Sequence, residues 1–175
     1  MANDDRETVR PPPGISSPSM ERPDIDTLFV VQLYYPNNAA IGHALASHIK
    51  KRSDDTVRMA DRLRKNKAYG GRTPDTTVLG KLVENLRGVV VNALIVGVDE
   101  FCDLDELFQE IERYFANGTP IIVHVTAPTE MDLSIFVDYG ALGAFAGYNF
   151  SEIDNLLDQA AREDLSARDV TIDAD

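Results

Sequence analysis

Three stretches of the chain are almost continuously apolar, as expected of β-strands buried on both faces of a sheet. They are Leu28–Leu33, Ala93–Val98 and Ile121–Val125. Two weaker runs, Thr56–Ala60 and Ala144–Tyr148, predict two further strands. Because amphipathic stretches separate these runs, the pattern predicts that strands and helices alternate along the chain.

The first helix is predicted to begin at Asn37 or Asn38, either of which can cap it. Its apolar positions recur every four residues and therefore share one face: Ile41, Leu45 and Ile49. The basic stretch 61–72, which contains Tyr69-Gly70-Gly71, is predicted to be a loop. A second helix is predicted from Thr73 and Pro74 to Gly88, with one apolar face formed by Val78, Leu79, Leu82 and Leu86.

Capping patterns predict the helices in the second half of the chain. Asp103 and Glu106 form a capping box, and the apolar face behind it consists of Leu104, Leu107, Phe108, Ile111 and Phe115. A short helix is predicted over Met131–Asp138. Ser151 and Asp154 are predicted to cap the last helix.

Alternating strands and helices predict an α/β fold: a doubly wound, mostly parallel five-stranded sheet with helices on both faces, in a flavodoxin- or Rossmann-like layout. Such sheets bind ligands beyond the carboxyl ends of their strands. Two loops are therefore candidates for a site, Leu33–Asn38 and Asp99–Asp105. We expect one domain over residues 24–165, a disordered N-terminal tail over 1–23 and a fraying acidic tail over 166–175.

Composition narrows the classes of partner. The net charge of −12 argues against nucleic-acid binding, because phosphate contacts require clustered Lys and Arg. The chain has 19 Asp against 10 Glu and 12 Arg against 5 Lys, a surface typical of proteins that work in high salt. We expect no membrane association, since no apolar run approaches the ~20 residues of a membrane span. The lone Cys102 and the missing signal peptide indicate a cytoplasmic protein.

The sequence carries few signals for a cofactor or a metal. It contains neither GxGxxG nor a Walker A pattern, so we expect no dinucleotide cofactor on the usual fingerprint. His43 and His48 are five residues apart and do not share a helix face, while His124 lies in an apolar strand and is expected to be a satisfied core residue. No metal site is predicted.

Carboxylates concentrate around the strand-to-helix turn between Asp99 and Glu112. Most of them suit the capping and dipole of a helix start. Glu110 differs, because helical periodicity places it at the border of the apolar face, in line with Leu107 and Tyr114. Partial burial there would raise the pKa of its carboxyl group and suit it to acid, base or nucleophilic chemistry. The alternative is an ordinary solvated glutamate beside the core.

Four stretches resemble the nucleoside 2-deoxyribosyltransferase family and its deoxynucleotide N-hydrolase relatives. They are the strand and aromatic turn 28–35, the helix-break-strand region 82–98, the segment 110–122 with its Gly118-Thr119-Pro120 turn, and the segment 132–150. The resemblance implies N-glycosidic bond cleavage or transfer on a 2-deoxynucleoside or deoxynucleotide. It also implies that no cofactor is needed.

The resemblance assigns roles to individual residues. Glu110 corresponds to the nucleophile, and Asp103 or Asp105 to the proton donor or sugar anchor. Substrate-binding positions are implied at Gln32, Tyr34, Asn85, Asp132 and Ser134. In the family, the loop that matches Asp132 and Ser134 completes a neighbouring subunit's site, so the resemblance also implies at least a homodimer.

Two other functions remain open on the residues. Family members carry a glycine-containing turn before the glutamate, whereas the segment from Asp103 to Gln109 has no glycine. This difference favours a non-catalytic module that binds a nucleotide or a protein partner. The third alternative is a TIR-like domain, which is related by shape alone, also places a glutamate on the helix after a buried strand, and can cleave NAD.

Overall fold

The computed structural model describes residues 28–63, 68–86, 88–100, 102–115, 118–126 and 132–174. The predicted N-terminal tail, 1–23, lies outside these residues. Within the described part of the chain, no helix combines the length and the apolar character that crossing a membrane requires.

In the described part of the chain, seven strands form two sheets. In chain order they are β1 (Leu28–Tyr34), β2 (Thr73–Leu79), β3 (Asn85–Leu86), β4 (Val89–Val90), β5 (Ala93–Val98), β6 (Ile121–Val125) and β7 (Gly143–Ala146). The main sheet has the order β2-β1-β5-β6-β7, and every neighbouring pair in it is parallel. Strands β3 and β4 form a small antiparallel hairpin. Numbering the five main strands along the chain gives the order 2-1-3-4-5, which is the flavodoxin-like arrangement. The predicted doubly wound α/β fold is confirmed.

Both faces of the main sheet are covered. The helices are α1 (Ala39–Leu63), α2 (Leu104–Tyr114), α3 (Ile135–Asp138) and α4 (Ser151–Ala174), with a 3-10 turn at Ala68–Gly71. We call one side the α1–α4 face; it buries Phe29, Val31 and Leu33 of β1 beneath helix residues such as Ile41, Leu45, Ile153 and Leu157. The other, the α2–α3 face, buries Val30 with Leu107, Phe108, Ile111 and Phe136. Alternate residues of β1 thus enter opposite cores, which explains why Leu28–Leu33 is apolar at every position except Gln32.

The first predicted helix is confirmed, but it is longer than expected. The Asn38 side chain accepts a hydrogen bond from the Ile41 amide at 3.3 Å, so Asn38 is the cap. The helix continues through the predicted strand Thr56–Ala60, and this strand prediction is wrong. No glycine or proline interrupts 44–63, and extending an existing helix costs far less than starting a new element. Residues 61–63 of the predicted loop also belong to α1.

The helix predicted from Thr73 is wrong, because Thr73–Leu79 is strand β2. Its register with β1 runs from Leu28 opposite Thr73 to Tyr34 opposite Leu79. The β-branched threonines favour this extended state. Pro74 is tolerated because β2 is an edge strand. Gly88, with a φ of +81°, lies in the turn of the β3–β4 hairpin rather than at a helix end.

The last predicted elements shift by a few residues. The short helix begins at Ile135, while Met131 lies outside the described residues, and the last strand is Gly143–Ala146. The final helix extends to Ala174 and so includes residues 166–174 of the predicted acidic tail. No glycine or proline follows Gly147 to end that helix.

Candidate functional site

The candidate site lies where the connections on either side of the sheet diverge. Helix α1 leaves the end of β1 on one face, and α2 follows the neighbouring β5 on the other. In doubly wound sheets, loops that separate in this way mark the edge where ligands bind, beyond the carboxyl ends of the two strands, and we call this edge the crevice. The two loops predicted from the sequence, after β1 and after β5, are therefore neighbours. A hydrogen bond of 3.0 Å from Asn37 Nδ2 to Asp99 Oδ2 joins them.

Tyr34 and Glu110 lie within electrostatic reach of each other at this crevice. Tyr34 ends β1 and packs, half-buried, on the α2–α3 face. Burial raises the pKa of its phenol, and the negative charge of Glu110 and the neighbouring Cys102 raise it further. Glu110 itself is half-buried on α2. The phenol therefore keeps its proton at neutral pH and can act as a hydrogen-bond donor beside the carboxylate.

Asp103 has a structural partner. It is the N-cap of α2, with φ −82° and ψ 105°, and its side chain accepts a hydrogen bond from the Glu106 amide at 3.2 Å. The predicted capping residue is confirmed. The charge of Asp103 also reaches the thiol of its sequence neighbour Cys102.

Asp105 is turned toward α3. It accepts a hydrogen bond from the Tyr139 hydroxyl at 3.0 Å. The ring of Tyr139 stacks on Phe108 at a centroid distance of 5.0 Å. Asp105 is thus directed toward α3, the helix between β6 and β7, whereas Tyr34 lies at the end of β1.

Cys102 is half-buried, and its thiol is held in the neutral form. Burial raises its pKa, and the carboxylates of Asp99, Asp103 and Glu106 add to the effect. Since the thiolate is the reactive species, these surroundings oppose a nucleophilic role. Among the residues that the structure describes, no group of three or more His, Cys, Asp or Glu side chains is arranged to hold a metal ion.

Gln32 is a tether between the sheet and the loop after β2. Its side chain is fully buried, and both ends of the amide bind the backbone of Val83. Nε2 donates to the Val83 carbonyl at 2.8 Å, and Oε1 accepts from the Val83 amide at 3.1 Å. The amide thus has partners within the fold, an arrangement that does not favour contact with a ligand.

The other predicted substrate-binding residues lie in two separate places. Asn85 begins β3 and its backbone pairs with Val90 in the hairpin. Asp132 and Ser134 are exposed just before α3, where Asp132 Oδ1 accepts the Ser134 amide at 3.0 Å. Hydrogen bonds from Ser134 lower the pKa of the Asp132 carboxyl. The structure brings Tyr34 and Glu110 together and leaves Asp132 and Ser134 at a different element.

Two features of this edge were missed from the sequence. One is the Asn37–Asp99 bond, and the other is the surroundings of Tyr35, which is buried and hydrogen-bonded to His124. Alternation along the strand places Tyr35 on the opposite face from Tyr34, which is the signal that was available. His124 was expected to be a satisfied core residue, and this is confirmed, because both of its ring nitrogens have partners.

No protein-family model matches the chain, and no match was found among the curated proteins or the solved structures compared with it.

Proposed function

We propose that the protein cleaves or transfers the N-glycosidic bond of a 2-deoxynucleoside or deoxynucleotide, with Glu110 as the nucleophile. The observation that supports this proposal is the pairing of Tyr34 with Glu110. A protonated phenol and a half-buried carboxylate, from two distant parts of the chain, lie within electrostatic reach of each other at the edge of the sheet where such folds bind small molecules. The resemblance described above supplies the same role for Glu110.

The proposed reaction has two steps. The Glu110 carboxylate attacks the anomeric carbon, the carbon–nitrogen bond breaks, and the base leaves with the bonding electrons and takes up a proton. This leaves a glycosyl ester on Glu110, which water or a second base attacks to free the carboxylate again. Tyr34 would stack on the base and donate its hydroxyl proton as a hydrogen bond. Asp103 would protonate the base or anchor a sugar hydroxyl, a role for which it is better situated than Asp105.

The second candidate is a non-catalytic module that binds a nucleotide or a protein partner in the same crevice. The observation that favours it is that both neighbouring aspartates already have hydrogen-bond partners within the fold. Asp103 caps α2 and Asp105 holds Tyr139. If both keep these bonds when a ligand binds, no carboxyl group is left to protonate the leaving base.

The proposal extends to the setting of the protein. We propose a homodimer in which the exposed Asp132 and Ser134 reach a neighbouring copy, and a salt-rich cytoplasm as its environment. The exposed position of the two residues and the excess of aspartate over lysine support these proposals.

Substitution of Glu110 tests the enzymatic proposal. Glu110→Ala should reduce base release by roughly a thousandfold or more, because the reaction loses its nucleophile. Tyr34→Phe should reduce it by about tenfold to a hundredfold, as expected when one hydrogen-bond donor is lost. Glu112→Gln is the matched control, since Glu112 is exposed on the same helix and should retain full activity. Released base is measured by chromatography, and circular dichroism checks that each variant is folded.

Assays of the wild-type protein distinguish the enzymatic proposal from the binding module. It should be assayed with the common nucleosides, deoxynucleotides and NAD, in low salt and in molar salt. If none of these compounds releases a base, the enzymatic proposal fails. Calorimetric binding of a nucleotide that is lost in Tyr34→Ala would then support the binding module.

A further inference from the structure

Tyr35, the residue after Tyr34, fills a slot in the core beneath the candidate site. Its side chain is almost completely buried on the α1–α4 face. The ring lies between two glycines, Gly42 of α1 and Gly97 of β5. A Cβ atom on Gly42 would stand 2.8 Å from the ring, and one on Gly97 would overlap it. The slot therefore exists because neither position carries a side chain.

The hydroxyl of Tyr35 begins a buried chain of hydrogen bonds. Tyr35 Oη and His124 Nδ1 are 2.6 Å apart, and His124 Nε2 is 2.7 Å from the carbonyl oxygen of Gly147. A carbonyl can only accept, so Nε2 carries the ring proton and Nδ1 accepts the proton of the phenol. Burial lowers the pKa of His124 and raises that of Tyr35, so both groups remain neutral. The direction of both hydrogen bonds is thereby determined: the Tyr35 phenol donates to His124, and His124 donates to the Gly147 carbonyl.

These two hydrogen bonds connect segments of the sheet that are far apart in sequence. Tyr35 follows β1, His124 is in β6, and Gly147 follows β7. The Tyr35 amide also donates to the Leu79 carbonyl at the end of β2, at 2.9 Å. The backbone that leaves β1 is therefore held by its side chain and by its amide. Tyr34 precedes Tyr35 on this backbone, and its side chain packs on the other face, within electrostatic reach of Glu110.

We propose that Tyr35 and His124 are positioning residues for Tyr34. Because Tyr35 is held in its slot, the peptide bond between Tyr34 and Tyr35 is held in place. This orients the Tyr34 phenol relative to Glu110. The consequence for catalysis rests on the proposed function. The positioning itself is a property of the fold and is measurable without any reaction.

The main variant is Tyr35→Phe, which removes one oxygen and leaves the ring in its slot. Tyr69→Phe is the matched control, because Tyr69 is equally buried in the same core but stacks on Phe29, at the opposite end of β1. Five residues lie between Phe29 and Tyr35 in the sequence, so the Cα atoms of these two residues are about 20 Å apart along the strand. His124→Gln is the conservative variant, since its amide can accept a hydrogen bond from Tyr35 and also donate one.

The first readout is the titration of the Tyr34 phenol, followed by NMR of protein labelled at the tyrosine Cζ and assigned with Tyr34→Phe. In wild-type protein its pKa should lie above the ordinary value, as burial and the charges of Glu110 and Cys102 require. In Tyr35→Phe it should fall toward the ordinary value of about 10. The Tyr69→Phe control should match the wild type, and His124→Gln should lie between them. The second readout is kcat/KM for base release, which Tyr35→Phe should lower by about tenfold to a hundredfold, mainly through kcat.

The two readouts separate this inference from the proposed function. If wild-type protein shows no base release, the Tyr34 titration alone decides, and a lowered midpoint in Tyr35→Phe still supports the positioning role. If Tyr35→Phe loses only as much stability as Tyr69→Phe while the Tyr34 midpoint and kcat/KM stay at their wild-type values, the chain is merely structural and the inference is overturned.

Discussion

Tyr34 and Tyr35 are neighbours in sequence with opposite surroundings. Tyr34 is half-buried and lies near a carboxylate, whereas Tyr35 is enclosed by apolar side chains, two glycines and a histidine. Nothing in the pair of letters distinguishes them. The difference arises because successive residues of a strand enter opposite faces of the sheet. The groups that each tyrosine can contact are therefore determined by the face of the sheet on which its side chain lies.

At the residue scale, His124 should make the fold sensitive to mild acid. Burial lowers its pKa below the ordinary value of 6.5. In acid below that value the unfolded chain binds a proton that the folded protein refuses, so the unfolded state is favoured. The free energy of unfolding should therefore fall as the pH drops below about 6.5, by up to ~1.4 kcal/mol per pH unit from this group. Urea unfolding at pH 7.5, 6 and 5 measures the slope.

Two substitutions test the origin of this slope. In His124→Gln the loss of stability between pH 6.5 and 5 should be smaller than in the wild type. His43→Gln, at an exposed position on α1, is the control and should keep the wild-type slope. Equal slopes in His124→Gln and the wild type would show that other groups cause the acid sensitivity.

At the scale of elements, the sequence predicted the buried strands well and the edge strand β2 badly. β1, β5 and β6 lie inside the sheet and are apolar on both faces, so their pattern has one interpretation. Strand β2 lies at the edge and is only partly buried, and its letters Thr-Pro-Asp also suit the start of a helix. Only its pairing with β1 decides between the two, and pairing is not visible in a local pattern.

The same limit applies to the site. The periodicity of α2 located Glu110 at the border of the core, and the strand ends located the two loops. The partners of Gln32, Asp105 and Tyr35 were not predictable, because Val83, Tyr139 and His124 are distant in the chain. Side chains whose roles depend on such contacts can be recognised as polar or aromatic from the sequence, but their partners cannot.

The glycine slot provides a test at this scale. Gly97→Ala should destabilise the protein by ~2–3 kcal/mol, because the added methyl group overlaps the Tyr35 ring. Gly42→Ala should cost about 1 kcal/mol, since its methyl group meets the ring less closely. Gly80→Ala is the control: an added Cβ there has no neighbour within 4 Å, and stability should change by less than ~0.5 kcal/mol. A Gly97→Ala variant as stable as Gly80→Ala would contradict the tight packing of Tyr35.

At the scale of the whole molecule, the proposed homodimer is open to direct measurement. A chain with a net charge of −12 repels its own copies, so association should be strongest where salt screens that charge. Light scattering in molar NaCl should give about twice the chain mass of 19.3 kDa. Val137 of α3 is 51% exposed and lies close to Ser134, so Val137→Asp should favour the monomer.

Val90→Asp is the matched control for this experiment. Val90 is 71% exposed on the β3–β4 hairpin and has no proposed role in association. It should leave the mass at the wild-type value. A wild-type protein that scatters as a monomer in molar salt would remove the proposal that the Asp132 loop serves a second copy.

The central place of β1 has a consequence for how the chain folds during synthesis. Among the strands that the structure describes, β1 comes first in the sequence, yet its neighbours β2 and β5 begin only at Thr73 and Ala93. This apolar strand of the sheet interior therefore has no partner strand while a long stretch of the chain is synthesised. Such distant pairing is slow and leaves hydrophobic surface open to aggregation. The early formation of α1, whose contacts are local, would give this strand its first cover.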